Sequence, residues 1–433
     1  MFRSFFQAFQ VPELRNKILF TLFILAIYRF GSVIPIPGVD YQVLNQILTT
    51  GQEQGLATLI GVFSGGALSR LALFALGIMP YITASIVLQL LVAVIPKLEE
   101  WQKEGPTGNA KITQITRYVT IALALLQSAG TLVLIETGQL FGTGLDTSAL
   151  LPDKSLPMRL LMMLTLTAGT AIIMWLGELI TDHGIGNGMS ILIFAAIIAA
   201  LPAQYVSLYE SNQPVFWGFM AISVVLIVGV VYVEQGQRRI PVQYAKRQVG
   251  RRTYGGGTTY LPLKVNQSGV IPLIFASSLL YLPVLAASIV PNPEFQRFVA
   301  QYFTGGTHPV YIVVYAILTV FFCFFYAAIT FNPEDVADNM KKSGGYIPGI
   351  RPGRPTAEYL DYVLTRITTA GAGYLTILAV MPLIVLATRN VYFPMGGSTL
   401  LIVVGVALQT LKELEAQLME RHYEGFIRTN LRN

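Results

Sequence analysis

The side chains that could do chemistry are few and far apart. His183, His308 and His422 share no local spacing, and the single Cys323 sits within an apolar run. That excludes a disulfide framework and a cysteine metal cluster, and no metal or cofactor is expected. The densest group is Glu178, Asp182 and His183, followed by GIGNG at 184–188. GIGNG could be read as a phosphate loop, yet it lacks a preceding strand and the lysine–serine pair. As a turn it opens a helix that Asn187 is placed to cap. No catalytic residue is expected, and the chain reads as a non-enzyme. What remains is positive charge: 29 Lys and Arg against 23 Asp and Glu, a net +6. The segment 234–266 holds seven basic residues (Arg238, Arg239, Lys246, Arg247, Arg251, Arg252 and Lys264) and one acidic residue. The segment 332–366 contains IPGIRPGRP, with Arg351 and Arg354. Such loops bind acidic lipid headgroups or a polyanion such as ribosomal RNA, and both readings stay open.

The elements that carry these residues are written in the composition. The 433 residues are 53% hydrophobic and 12% charged, about half the ~25% charge of a globular chain. Neither a water-soluble surface nor a disordered chain has this balance. A membrane-spanning helix needs about 20 apolar residues. Ten such runs occur, at 18–34, 71–95, 118–136, 157–177, 185–203, 214–233, 268–290, 309–331, 367–388 and 391–411. None alternates as barrel strands do. Arg3, Arg15 and Lys17 before the first run imitate a signal peptide, but the run continues into GSVIPIPGVD without a small-x-small cleavage pattern, so it is expected to be retained. The expected fold is an all-α membrane protein of ten transmembrane helices.

Ten spans put both termini on one side. The segments sharing that side hold 23 of the 29 basic residues, so the positive-inside rule places both termini and the two basic loops in the cytoplasm.

Residues 77–89 (GIMPYITASIVLQ) and 269–281 (GVIPLIFASSLLY) match at Gly77/Gly269, Pro80/Pro272, Ile82/Ile274, Ala84/Ala276, Ser85/Ser277 and Leu88/Leu280. They fall in the second and seventh spans, which run in opposite directions. A five-plus-five chain of this kind is the mark of an inverted repeat, with a pathway between the halves. Two function classes follow: a secondary transporter of a small solute, or a conduit. Transporters keep ionisable groups deep in their spans. Here Arg29 and Arg70 lie near the outer face, and Glu178, Asp182 and His183 near a helix end. This lowers the transporter reading.

FSGGALSRLALFALGIMPYITASIVLQLL (63–91), GIGNGMSILIFA (184–195), RRIPVQYAKR (238–247), LPLKVNQSGVIPLIFASS (261–278) and GGYIPGIRPGRPTAEYL (344–360) occur in order along the whole chain. These motifs resemble the SecY family, the channel-forming subunits of the bacterial protein translocon. The resemblance implies two inverted five-helix halves around a central pore. The N-terminal half is 1–205, with a plug at about 57–73; the C-terminal half is 206–433, with cytoplasmic loops 234–266 and 332–366 and a cytoplasmic tail. Unfolded secretory polypeptides would cross the bacterial plasma (inner) membrane, and membrane helices would leave sideways between spans two and seven.

Carried over by motif, the pore ring falls on Ile82, Ile86, Met189, Ile193, Ile274 and Ile402. A narrow apolar ring sheds water and blocks ions, and methionine is an adaptable filler within it. The plug would include Gly61, Gly65, Gly66, Ala67 and Arg70; without the resemblance FSGGALSR reads as a loop leading into a helix. The lateral gate would use Thr83, Ser85, Gln89, Ser277 and Ser278. Arg238, Arg239, Lys246, Arg247, Arg251, Arg252, Arg351 and Arg354 would dock the SecA ATPase and the ribosome. Further implied partners are SecE, SecG, SecDF, YidC, signal sequences, nascent chains and membrane lipids.

Overall fold

The structure is a computed structural model. It describes residues 9, 11–49, 64–136, 150–153, 155–211, 213–244, 247–249, 252–254, 257–290, 292–303, 308–389 and 396–430. In chain order the elements are α1 (Pro12–Gly31), α2 (Tyr41–Thr49), α3 (Met79–Val94), α4 (Pro96–Lys103), α5 (Pro106–Glu136), α6 (Leu156–His183), α7 (Gly188–Ser211) and α8 (Gln213–Gln235). Then follow β1 (Gln237–Tyr244), β2 (Arg247–Val249), β3 (Arg252–Tyr254), β4 (Thr258–Lys264), α9 (Ile271–Ile289), α10 (Pro293–Tyr302), α11 (Pro309–Thr330), α12 (Pro333–Lys342), β5 (Gly345–Tyr346), α13 (Arg354–Arg389) and α14 (Gly397–Asn430).

The molecule is mostly helical. Among the described residues six helices are long and apolar enough to cross a membrane by length and composition: α5, α6, α7, α8, α11 and α13. A seventh arises if α3 and α4, bent by 99° at their junction, count as one. Pro96 is the reason for the bend. It has no N–H to donate and pushes the preceding residue out of helical geometry, and Ile95 is extended at φ −98°, ψ 112°. The other expected spans are weaker for visible reasons. α1 carries Glu13, Arg15, Lys17 and Arg29 within 20 residues. The apolar part of α9, Ile271–Val284, is short, and α14 becomes charged from Lys412 onward. Large apolar side chains such as Leu164, Trp217, Val225 and Ile317 are exposed along the spanning helices, as expected where lipid is the solvent.

The second apolar run differs from expectation. Residues 71–78 are turns, and helix begins only at Met79. Leu71 is itself left-handed at φ 44°. The turns are tied to the end of the first apolar segment: Leu73 N–H donates to the Ile34 carbonyl at 2.8 Å, and Ile36 N–H to the Leu71 carbonyl at 2.9 Å. The segment 234–266 is likewise not a plain loop, and there the expected all-α fold gives way to strands. β1 pairs antiparallel with β4 on one side and β5 on the other, and β2 and β3 form a separate two-stranded ladder. In β1 the alternation that makes a half-buried strand is Ile240 and Val242 inward, Arg239 and Pro241 outward.

Packing divides the chain into two compact units, Met1–Phe216 with Leu280–Gly306 and Ile402–Asn433, and Trp217–Leu279 with Thr307–Leu401. The core of the first gathers Leu68, Leu71, Leu132, Ile135, Leu150, Met162 and Leu166 around the turns that precede α3. In the second, Ile240 and Leu263 of the sheet pack with Ile347, Leu360 and Val363.

Candidate functional site

The two repeat segments fold alike at their starts. Gly77 and Gly269 both occupy the left-handed region, at φ 57° and 61°, which only glycine enters without strain. Helix begins two residues later in each case, with Pro80 and Pro272 at its second position, where no N–H is missed. The first-turn bonds also correspond: Ile82 N–H to the Ile78 carbonyl at 3.1 Å, and Ile274 N–H to the Val270 carbonyl at 3.3 Å. Ala84 and Ala276 are both fully buried.

Four of the six expected ring positions sit in two stacked pairs. Ile82 and Ile86 are one turn apart on α3, as are Met189 and Ile193 on α7. Ile86, Met189, Ile193, Ile274 and Ile402 are buried and Ile82 is half-buried. Met189 leans its thioether onto Gly177 of α6, where any Cβ would collide with the sulfur. The turn before α7 forms as expected. Asn187 Oδ1 accepts from Ser190 N–H at 3.2 Å, Gly186 is left-handed at φ 67°, and Gly188 N–H donates to Thr181 Oγ1 at 2.9 Å.

Of the plug positions, Gly61 lies outside the described residues, as does the rest of the plug before residue 64. Gly65, Gly66, Ala67 and Arg70 stand in the turns 64–78. Ser64 Oγ accepts from Leu68 N–H at 3.1 Å, and Ala67 is wholly buried while Arg70 is exposed. A Cβ at Gly65 would stand 3.0 Å from the Ala196 carbonyl oxygen, so this backbone lies directly on α7, one turn past Ile193. Arg29, at the end of α1, donates to the Gly65 carbonyl at 3.3 Å.

Among the gate positions, Thr83 Oγ1 and Ser277 Oγ are spent on their own helices, donating to the Met79 and Ile274 carbonyls at 2.9 Å each. Ser85 is half-buried and Gln89 exposed. The Ser278 hydroxyl is buried without a hydrogen-bond partner among the described residues. Glu178 is no isolated carboxylate: Arg117 Nε of α5 donates to it at 2.7 Å. Asp182 and His183 are exposed.

The sheet brings the two basic loops together. Gln243 and Tyr244 of β1 pair with Tyr346 and Gly345 of β5, and Tyr346 OH donates to Gln243 Oε1 at 3.0 Å. Arg238 and Arg239 are exposed on β1, opposite Leu263 and Pro262 of β4. Arg247 and Arg252 lie on β2 and β3, while Lys246 and Arg251 fall outside the described residues. Arg351 is exposed at a tip bounded by left-handed Gly349 and Gly353. Its carbonyl accepts from Thr356 Oγ1 at 2.9 Å, which folds the tip onto the start of α13. Arg354 differs, since its Nε is paired with Glu358 Oε1 at 3.2 Å one turn along α13. Sequence reasoning missed this joining of the loops. The alternation of Ile240 and Val242 marks the strand, but nothing local marks its partner, 103 residues away.

Comparison with known proteins fits this architecture. The SecY family model matches residues 72–411. The protein translocase subunit SecY of Streptomyces galbus is 54% identical over 439 residues, covering 99% of this chain and 100% of that protein. A solved SecY, whose plug domain stabilises the closed state of the translocation channel and maintains a membrane seal, superposes with a TM-score of 0.61. It is 16% identical and covers 94% of this chain and 96% of its own. Sec61 in the canine ribosome–channel complex from the endoplasmic reticulum gives a TM-score of 0.58 at 17% identity, with the same coverages. With the model matched over most of its length, this multi-pass membrane chain belongs to the SecY family.

Proposed function

We propose that this family member works as a conduit for unfolded polypeptides, built from ten spans in two inverted halves, 1–205 and 206–433. The observation that carries this reading is end-to-end likeness to a protein translocase subunit, at 54% identity over 99% of the chain. The chain is a non-enzymatic channel subunit of a protein translocase. Finer features are our proposal. Ile82, Ile86, Met189, Ile193, Ile274 and Ile402 form the apolar seal, which excludes water and ions without holding any one polar sequence. The segment 57–73 plugs it, and membrane helices leave sideways into the bilayer between α3 and α9. The matched starts of α3 and α9 support an inverted repeat. Both termini and the sheet β4–β1–β5 lie on the cytoplasmic side of a bacterial plasma membrane. There the arginines of β1 and the Arg351 tip dock the SecA ATPase and the ribosome, while SecE and SecG complete the channel and SecDF and YidC assist it.

Reconstitution tests the reading. Proteoliposomes holding this chain with SecE, SecG and SecA should render a secretory precursor protease-resistant on ATP addition. The chain alone should show no saturable uptake of small solutes. Saturable uptake without precursor protection would favour the transporter class instead.

A further inference from the structure

The second repeat carries a polar joint that the first lacks. Asn266, 3% exposed, uses its side-chain amide twice. Its Nδ2 donates to Glu234 Oε1 at 2.6 Å and to the Gly269 carbonyl at 3.1 Å. Glu234 stands at the end of α8, and Gly269 is the left-handed turn that opens α9. Ser268 Oγ lies 3.4 Å from Asn266 Oδ1 and 3.3 Å from Cys323 Sγ of α11. Val265 N–H donates to the Gly236 carbonyl at 3.0 Å. Gly371 of α13 comes so close that a Cβ there would stand 2.6 Å from the Val265 carbonyl oxygen. Residues 265–269 are therefore gripped by α8, α11 and α13, and they join β4 of the basic sheet to α9 with no slack between.

Two further observations give the joint a role beyond packing. Next to the satisfied Asn266, the Gln267 Oε1 is buried with no hydrogen-bond partner among the described residues. A charge-assisted bond in a buried setting is strong, whereas an orphaned acceptor is costly. A joint that holds one of each is biased toward the observed arrangement while keeping a reason to leave it. In the first repeat the position equivalent to Asn266 is Phe74, which stacks on Tyr28 at 5.7 Å and fills the space over Gly31. That start is locked by apolar packing; the start of α9 is held by a hydrogen bond.

We propose that the Glu234–Asn266 bond is a latch that sets the resting position of the α9 start and links it to the basic sheet, making both positioning residues for opening. The proposal rests on the reading of α9 as a gate helix. Breaking the latch should favour opening by precursors whose signal sequences are too weak to open the parent channel. With the full chain and its partners in proteoliposomes, Asn266→Ala and Glu234→Ala should each raise translocation of a signal-defective precursor, relative to an intact one, by about ten-fold. That is the shift expected from losing one partly buried hydrogen bond to a carboxylate. Glu234→Gln keeps the acceptor oxygen but not the charge and should fall between the parent and Glu234→Ala, a grading that general loosening of the fold would not give. The double variant should fall well short of the product of the two single effects, because both remove the same bond.

A parent-like ratio in the alanine variants, additive effects in the double, or a Glu234→Gln effect equal to Glu234→Ala would each overturn the latch. If Asn266→Ala does not accumulate, the Glu234→Ala and Glu234→Gln pair decides alone. Cysteines placed at Gln89 and Ser278 and crosslinked report on the gate separately. Continued insertion of a membrane helix past that crosslink would refute the gate reading, whereas a block with parent-like latch variants would refute only the latch.

Discussion

At Ile86 and Ile402, both buried and both apolar, side-chain chemistry should decide the permeability of the closed channel. Asparagine at either position introduces an amide that holds water, and dewetting is what a hydrophobic constriction relies on. Ile86→Asn and Ile402→Asn should each raise ion conductance of proteoliposomes severalfold in the absence of precursor; an unchanged conductance would count against the ring assignment. Asn187 tests a simpler residue-scale claim. Its side chain caps α7 through Ser190, so Asn187→Ala should cost about 1 kcal/mol of stability, seen as a lower Tm of the detergent-solubilised protein. This cap was legible from GIGNG alone, because capping is local. The lean of Met189 onto Gly177 was not, since it depends on how α6 and α7 approach each other. The pairing of Arg117 with Glu178 was also beyond the sequence, as the two stand on different helices.

Between residues and the whole chain, the sheet is the element that changes the picture of the basic loops. Charge counting marked 234–266, and the IPGIRPGRP stretch marked 332–366, as separate projections. Pairing of β1 with β5 and the shared core of Ile240, Leu263, Ile347 and Leu360 make them one body. Within it Arg351 and Arg354 are not equivalent, because Arg354 has a carboxylate partner and Arg351 has no ion pair among the described residues. Arg351→Glu should cut SecA-driven translocation about ten-fold or more, as loss of a docking arginine does at interfaces. Arg354→Glu should do markedly less. Purified protein of unchanged Tm and signal-independent binding to lipid would show that folding is intact; equal effects at the two arginines would refute the distinction. Six of the ten expected spans, or seven with the bent pair, were legible because twenty apolar residues in a row have few other uses. The break at Pro96 was legible, since the expected span 71–95 ends on the residue before the proline. The turns over 71–78 were hidden, since hydropathy does not distinguish buried turns from helix.

On the scale of the whole molecule, a chain poor in charge places its basic excess in the segments outside its apolar spans. The net +6 is matched by the segment 234–266, with seven basic residues against one acidic, while the candidate seal is made of isoleucine and methionine. The likeness of 77–89 and 269–281 was visible as six matched residues, and it extends to the glycine turns and first-turn bonds that start α3 and α9. The account stands on a polypeptide passing both of those helices. A photoreactive amino acid placed at Ile82 or at Ile274 should therefore crosslink to a secretory chain stalled in mid-translocation, and one at Leu164, exposed on the outside of α6, should not. Crosslinks confined to Leu164, or none at Ile82 and Ile274 with the stalled chain in place, would contradict it.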